Sequence, residues 1–188
     1  FFERYRVFAE AAGGSLDRGL DGYLRLCASM LEERLAFLRS GRYASTSFAE
    51  VERTIYLNPG VFEAHMHGLV FAQFLWREQY ARYEFFRSRL GGMLQGKRSY
   101  LEIGGGHGLY LLEAARRCEP GTSLRLIDIS PSSMDLARGT TAGFPVEFEV
   151  RNALTLDDTQ RFEFITMGEV LEHVEDPLSL LVLLRRLL

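Results

Sequence analysis

The run Tyr100-Leu-Glu-Ile-Gly-Gly-Gly-His-Gly108 constrains this chain more than any other stretch. Extended apolar sequence leads into an acid, Glu102, and then into a turn with glycine at 104, 105, 106 and 108. Glycine lets a backbone turn tightly and pass close to a ligand. A helical pattern follows in Leu109, Leu111, Leu112 and Ala115, and a helix N-terminus favours negative charge. Farther on, Arg125-Leu-Ile-Asp128 closes a second extended run with another carboxylate. Such an acid is placed to accept hydrogen bonds from ribose hydroxyls. Together these features describe a site for a nucleoside-type cofactor.

The dinucleotide fingerprint Gly-x-Gly-x-x-Gly/Ala does not fit. Starting from Gly104, its third small residue falls on Leu109. The pattern that fits is Glu102-Ile-Gly104-x-Gly106-x-Gly108, which closely resembles motif I of the class I S-adenosylmethionine-dependent methyltransferases of small-molecule type. The resemblance continues in order through Asp128, Asn152-Ala153 and Phe164-Ile-Thr-Met-Gly-Glu-Val-Leu-Glu-His-Val-Glu-Asp-Pro177. It spans about residues 98–188 and implies S-adenosyl-L-methionine as cofactor, with S-adenosyl-L-homocysteine as product. By that resemblance Glu102 orders the glycine loop and meets the cofactor's amino group. Gly104, Gly105 and Gly106 approach its methionine part. Asp128 takes the ribose, Ile129 packs on the adenine, and Asn152 and Ala153 receive the adenine edge. Asn152 is equally readable as a turn residue. Gly168 and Glu169 follow the fourth strand and face the cofactor and the acceptor.

Residues 98–188 alternate strand and helix, with strands expected near 99–103, 123–128, 145–150 and 161–167 and helices near 107–118, 131–140 and 177–188. Ser130-Pro131 and Asp176-Pro177 read as capped helix starts with proline in the first turn. The alternation implies an α/β, Rossmann-like, mostly parallel sheet. The resembled family has seven strands and this sequence supplies four. The sheet is therefore expected to be incomplete at the C-terminus, with the fourth strand left as an open edge.

Residues 1–95 read as an all-helical lid and acceptor-binding region, ahead of a cofactor-binding domain at 96–188. Apolar residues from Leu16 to Leu38 recur at helical spacing, with Asp17 a candidate cap and Gly41 just past the end. A short helical segment is expected over 48–57. A long helix is expected from Val61 to about Leu90, apolar nearly all round its middle and so buried on more than one side.

For chemistry, His65 and His67 on that long segment are candidate general bases toward an acceptor hydroxyl, and Glu169 is a third catalytic candidate. Tyr56, Phe71 and Trp76 are candidate acceptor-binding aromatics. Core packing competes with each of these readings. Glu169, Glu172 and His173 have a spacing that some methyltransferases use for a divalent metal, but a structural role for Glu172 and His173 is preferred and no metal is expected. His107 is given no catalytic role.

The formal net charge is −3 with no basic block, which argues against a nucleic-acid partner. No apolar run reaches membrane-spanning length. Two cysteines, Cys27 and Cys118, are too few for a disulfide framework, and a cytoplasmic setting is expected. The expected activity is methyl transfer to a small organic acceptor, as O-methylation in natural-product or quinone-like metabolism. N- or C-methylation, a non-catalytic cofactor-binding partner role and a homodimer remain open alternatives.

Overall fold

The computed structural model describes residues 1–42, 59–157 and 159–188. Four strands, β1 (Ser99–Ile103), β2 (Ser123–Asp128), β3 (Val146–Val150) and β4 (Phe164–Met167), form one sheet in the order β3-β2-β1-β4. Every pairing is parallel: Glu102 sits opposite Leu126 on one side and Thr166 on the other, and Asp128 opposite Val150. Among the described residues β4 pairs only with β1, so its outer edge carries no strand partner.

The helices are α1 (Phe2–Ala11), α2 (Leu16–Ser40), α3 (Pro59–Leu75), α4 (Arg77–Leu94), α5 (Leu109–Ala115), α6 (Pro131–Thr140) and α7 (Pro177–Leu187). Alternation along the strands divides the sheet into two faces. Tyr100, Leu124 and Leu126 meet Leu90 and Leu94 of α4, Leu111 and Ala114 of α5, and Met134 of α6. Leu101, Ile103 and Ile127 meet Leu180, Leu184 and Leu187 of α7. A third cluster, Tyr5, Ala9, Met66, Val70 and Leu136, fastens α1 and α3 to α6. Arg4 adds charge-assisted bonds from α1 to the carbonyls of Thr140 and Ala142, at 3.3 and 2.7 Å, at the C-terminal end of α6. There the helix dipole favours a cation.

Both expected caps form. Ser130 Oγ accepts from the Ser133 amide at 3.3 Å and Asp176 Oδ1 from the Ser179 amide at 3.0 Å. Gly41 closes α2 in the left-handed conformation, φ 67°, where glycine has no Cβ penalty. Asp17 does not cap α2: Ser15 occupies the cap position, without a side-chain capping bond.

Three expectations are corrected. The long helix is two helices, because Trp76 takes an extended backbone (φ −92°, ψ 124°) between α3 and α4. Tertiary contacts hold the break. Gln73 Nε2 reaches across it to the Gln79 carbonyl at 2.7 Å, and Trp76 Nε1 donates to Tyr23 Oη at 3.2 Å. The helix after the glycine turn starts at Leu109 rather than 107, since Gly108 sits at φ 76°. The fourth strand starts at Phe164 rather than 161, since Phe162 instead packs under α7 and donates its amide to the Leu187 carbonyl at 2.7 Å. The expected helix over 48–57 lies outside the described residues.

Helices α2 and α3 cross through glycines. A Cβ on Gly68 would lie 2.7 Å from the carbonyl carbon and oxygen of Gly22, and one on Gly22 would strike the Ala64 carbonyl. Alanine in a helix normally gains about 1 kcal/mol over glycine. Here both collision partners are helical backbone, so overpacking of roughly 1–3 kcal/mol should win. Gly68→Ala is expected to lower stability in chemical denaturation. Gly91→Ala in α4, where a Cβ would meet nothing within 4 Å, is expected to raise it by roughly 0.5–1 kcal/mol.

Candidate functional site

A cavity of about 720 Å³ opens over the C-terminal ends of the strands. That is where ligands bind in open α/β sheets, and the size suits a small-molecule site. Its floor is the glycine turn, with walls from the segments that follow β2, β3 and β4. Its roof comes from His65, Met66 and Leu69 of α3, Leu26 and Met30 of α2, and Trp76 at the helix break.

The glycine turn is built by backbone. Gly104, Gly106 and Gly108 take φ of 67°, 51° and 76°. The Gly104 amide donates to the Ile127 carbonyl at 2.8 Å, and the Gly108 amide to the Gly105 carbonyl at 2.8 Å. A side chain on Gly104 would strike Val170, and one on Gly105 would strike Leu126. The turn is tied to β2 through Asp128, whose Oδ2 accepts from the Gly106 amide at 3.2 Å and Oδ1 from the Ser130 amide at 2.8 Å. Burial raises the Asp128 pKa, while backbone amides of Ser130, Gly106 and Ile129 pull it back. A carboxylate has about four acceptor sites, so Asp128 keeps capacity for a diol.

Glu102 does not line the cavity. It is 3% exposed and lies beneath the turn, where its Oε2 accepts from the Tyr100 hydroxyl at 2.8 Å. Tyr100 Oη also bonds Thr166 Oγ1 at 2.6 Å. Burial pushes the Glu102 pKa up to about 8, with the nearby Asp128 charge adding to it. His107 lines the cavity and is held neutral, its pKa pushed down to about 4 by burial. Its Nδ1 accepts from the Leu109 amide at 3.3 Å.

The two candidate bases separate. His65 lines the cavity, as does His173. Burial lowers the pKa of His65, and the charge of His173 lowers it further. His67 is 7% exposed and faces the other way: its Nδ1 bonds the Tyr5 hydroxyl at 2.8 Å, and its Nε2 lies 3.8 Å from Glu63. The structure therefore gives His67 a packing role. Phe71 is corrected in the same way, since it packs edge-on against Phe2 and Tyr5. Trp76 does line the cavity, and Tyr56 lies outside the described residues.

Ile129, Asn152, Ala153, Gly168 and Glu169 all reach the cavity wall. Asn152 is also a turn residue: its Oδ1 accepts from the Leu154 amide at 3.0 Å. Glu169 is the one described non-glycine residue at positive φ, 57°. Its carboxylate pairs with Arg82 at 2.9 Å and accepts from Gln79 at 3.3 Å, so it joins the end of β4 to α4. Among the described residues no group of three or more His, Cys, Asp or Glu is arranged to hold a metal. No described helix is long and apolar enough to cross a membrane.

Sequence reasoning missed Met66, Tyr110 and Arg151, all on the cavity wall. Met66 and Tyr110 carried no signal apart from helical apolar spacing. Arg151 carried one: it follows Glu149 at the spacing of one strand face.

A glycine turn, a buried acid on the neighbouring strand bonded to that turn and a cavity above them are the features of a nucleotide-binding type of parallel α/β protein. A family model described as "Methyltransferase domain" matches residues 75–188. The chain belongs to this methyltransferase family. It is 36% identical over 102 residues to the ubiquinone biosynthesis O-methyltransferase of Alkalilimnicola ehrlichii, covering 52% of this chain and 39% of that protein. The Bordetella avium enzyme of the same name is 35% identical over 94 residues, covering 48% and 37%. The chain thus spans less than half the length of these curated relatives. Among solved structures, the N-methyltransferase NodS of Bradyrhizobium japonicum, in complex with S-adenosyl-L-homocysteine, superimposes with a TM-score of 0.54 at 19% identity, covering 74% of this chain and 64% of that one. The plantazolicin methyltransferase BpumL gives 0.51 at 19% identity, covering 73% and 55%. These two likenesses concern the fold.

Glu102 is protonated in the folded protein up to about pH 8 and has an ordinary carboxyl value near 4.5 when unfolded. A folded-state pKa raised in this way stabilises below the unfolded value and is lost as pH rises through the folded one. Glu102→Gln should therefore flatten the fall in stability between about pH 4.5 and 8. Denaturation of the ligand-free wild type and variant at both ends of that window measures it, and parallel curves would show that Glu102 is ionised throughout.

Proposed function

We propose that this protein binds S-adenosyl-L-methionine and transfers its methyl group to a small organic acceptor, as O-methylation of a natural-product or quinone-like molecule. The observation that carries this reading is the Gly106 amide on Asp128 at the floor of the cavity. It joins a backbone cradle to a diol acceptor within one ligand length. Family membership and the names of the curated relatives support it. The residues fit the cofactor. Asp128 would take the ribose hydroxyls, Gly104 to Gly106 would leave room for the amino-acid tail, and Ile129 and Ala153 would flank the base.

When bound, the sulfonium supplies an activated methyl group. The protein's own share is to hold acceptor and cofactor in line and to keep water out. The roof from α2 and α3 does both, with Leu26, Met30, Leu69 and Trp76 presenting apolar and aromatic surface to the acceptor. In this reading residues 1–95 are the acceptor-binding lid and 96–188 the cofactor domain. His65 is held neutral by burial, so it can take the hydroxyl proton. Glu169, braced by Arg82, is placed to accept a hydrogen bond from the acceptor.

Calorimetric titration with S-adenosylhomocysteine and with NADH tests the cofactor. The first should bind and the second should not. Asp128→Ala should weaken the first by about 10- to 100-fold, as expected for lost bonds to a charged group. A folded wild type that ignores S-adenosylhomocysteine would sink the reading. In a panel of catechols, phenols and amines, a hydroxyl acceptor is expected to be methylated.

His65→Ala should lower kcat on that acceptor by about 10²- to 10⁴-fold without changing S-adenosylhomocysteine affinity. Because His65 titrates below the usual 6.5, kcat/KM should rise with pH through a midpoint under that value and then level. An acid limb that survives in the variant would assign the proton transfer elsewhere.

A further inference from the structure

Arg151 follows β3 on the cavity wall, and neither the motif nor the proposed reaction accounts for it. Its guanidinium is held at all three nitrogens. Nε donates to Thr155 Oγ1 at 3.0 Å, Nη1 to Glu149 Oε1 at 3.1 Å, and Nη2 to the Thr155 carbonyl. Its own amide donates to the Asp128 carbonyl at 2.9 Å, which anchors it next to the ribose-binding acid. Guanidinium N–H bonds lie in the plane of the group. Three partners around its edge therefore fix that plane and leave the flat faces as its recognition surface. Its charge is already balanced by Glu149, at 31% and 33% side-chain exposure, which disfavours a role in binding an anion. A fixed, flat, cationic face recognises the face of a π-system.

The strand order says which part of the cofactor lies there. With the ribose on Asp128 at the end of β2, the amino-acid tail runs over the glycine turn toward β1 and β4. The ring system must then extend the opposite way, toward β3. The wall on that side is formed by Ile129, Arg151, Asn152, Ala153 and Leu154. We propose that Arg151 is a cofactor-binding residue that lays its guanidinium face on the adenine ring, with Glu149 and Thr155 as the positioning residues that hold its plane. The inference rests on the S-adenosylmethionine reading above.

The test uses three probes on the intact protein: S-adenosylhomocysteine, adenosine, and S-ribosylhomocysteine, which lacks the purine. Arg151→Ala and Arg151→Lys are each expected to lose about 5- to 30-fold in affinity for the two adenine-bearing probes. Affinity for S-ribosylhomocysteine, read by displacement, should not change. Lysine keeps the charge and the aliphatic stem but not the plane, so wild-type affinity in Arg151→Lys would overturn the stacking role. It also serves if the alanine variant does not fold. Equal loss for all three probes would mean a disturbed wall rather than stacking and would also overturn it. Wild-type binding of S-adenosylhomocysteine with unchanged affinity in Arg151→Ala would remove this inference alone. A wild type that binds none of the adenine-bearing probes would remove the cofactor reading and this inference with it.

Discussion

The glycine turn from Gly104 to Gly108 is the constraint on which the rest of the molecule depends. Four elements close on it. Val170 after β4 covers Gly104, Leu126 of β2 lies under Gly105, the Met66 methyl lies 3.2 Å from a Cβ position on Gly106, and Thr140 of α6 lies 2.6 Å from one on Gly108. Three of these glycines are at positive φ, a conformation that L-residues with a Cβ rarely adopt. The turn thus sets how near the helical roof comes to the sheet, and so the height of the cavity. The same close approach leaves backbone, rather than side chains, facing the ligand.

Burial below the turn sorts the ionisable groups. Glu102 precedes the glycine turn and lies beneath it, His107 lies within the turn and lines the cavity, and desolvation drives both toward their neutral forms. Asp128 is buried too, but amides that favour its charged form surround it. The floor therefore concentrates its acceptor strength on Asp128, which lines the cavity. Glu102 serves instead as a strut, joined through Tyr100 to Thr166 on β4. With Glu102 and His107 neutral, the field at the cavity floor stays simple, while Glu169 and Arg82 form a half-exposed ion pair that solvent screens.

The strand-rich half was legible because its signals are local. The runs Ser99–Ile103, Ser123–Asp128 and Pro131–Thr140 form where the pattern of apolar residues and caps places them. The helical half was legible only as helix. Successive helical residues turn by about 100°, so His65 and His67 point to different sides of α3. Periodicity does not say which side meets the cavity. His67 and Phe71 share a face one turn apart and meet Tyr5 of α1, whereas His65 and Leu69 share the cavity face. The break at Trp76 has no proline or glycine to announce it, because the contacts that hold it come from Gln79 and from Tyr23 on another helix.

The sequence by itself determined the order of strands and helices, the glycine turn and the acid at the end of β2. Each depends on residues close together in the chain, and on backbone conformations that few residue types allow. Tertiary structure alone decided which of two histidines reaches the cavity, that Glu102 lies beneath the floor, and that Arg151, bonded through its amide to the Asp128 carbonyl, stands on the cavity wall. Those outcomes depend on how α1, α2 and α3 pack over the sheet and on partners distant in the chain. Side-chain direction there follows from packing, which spacing along one element does not encode.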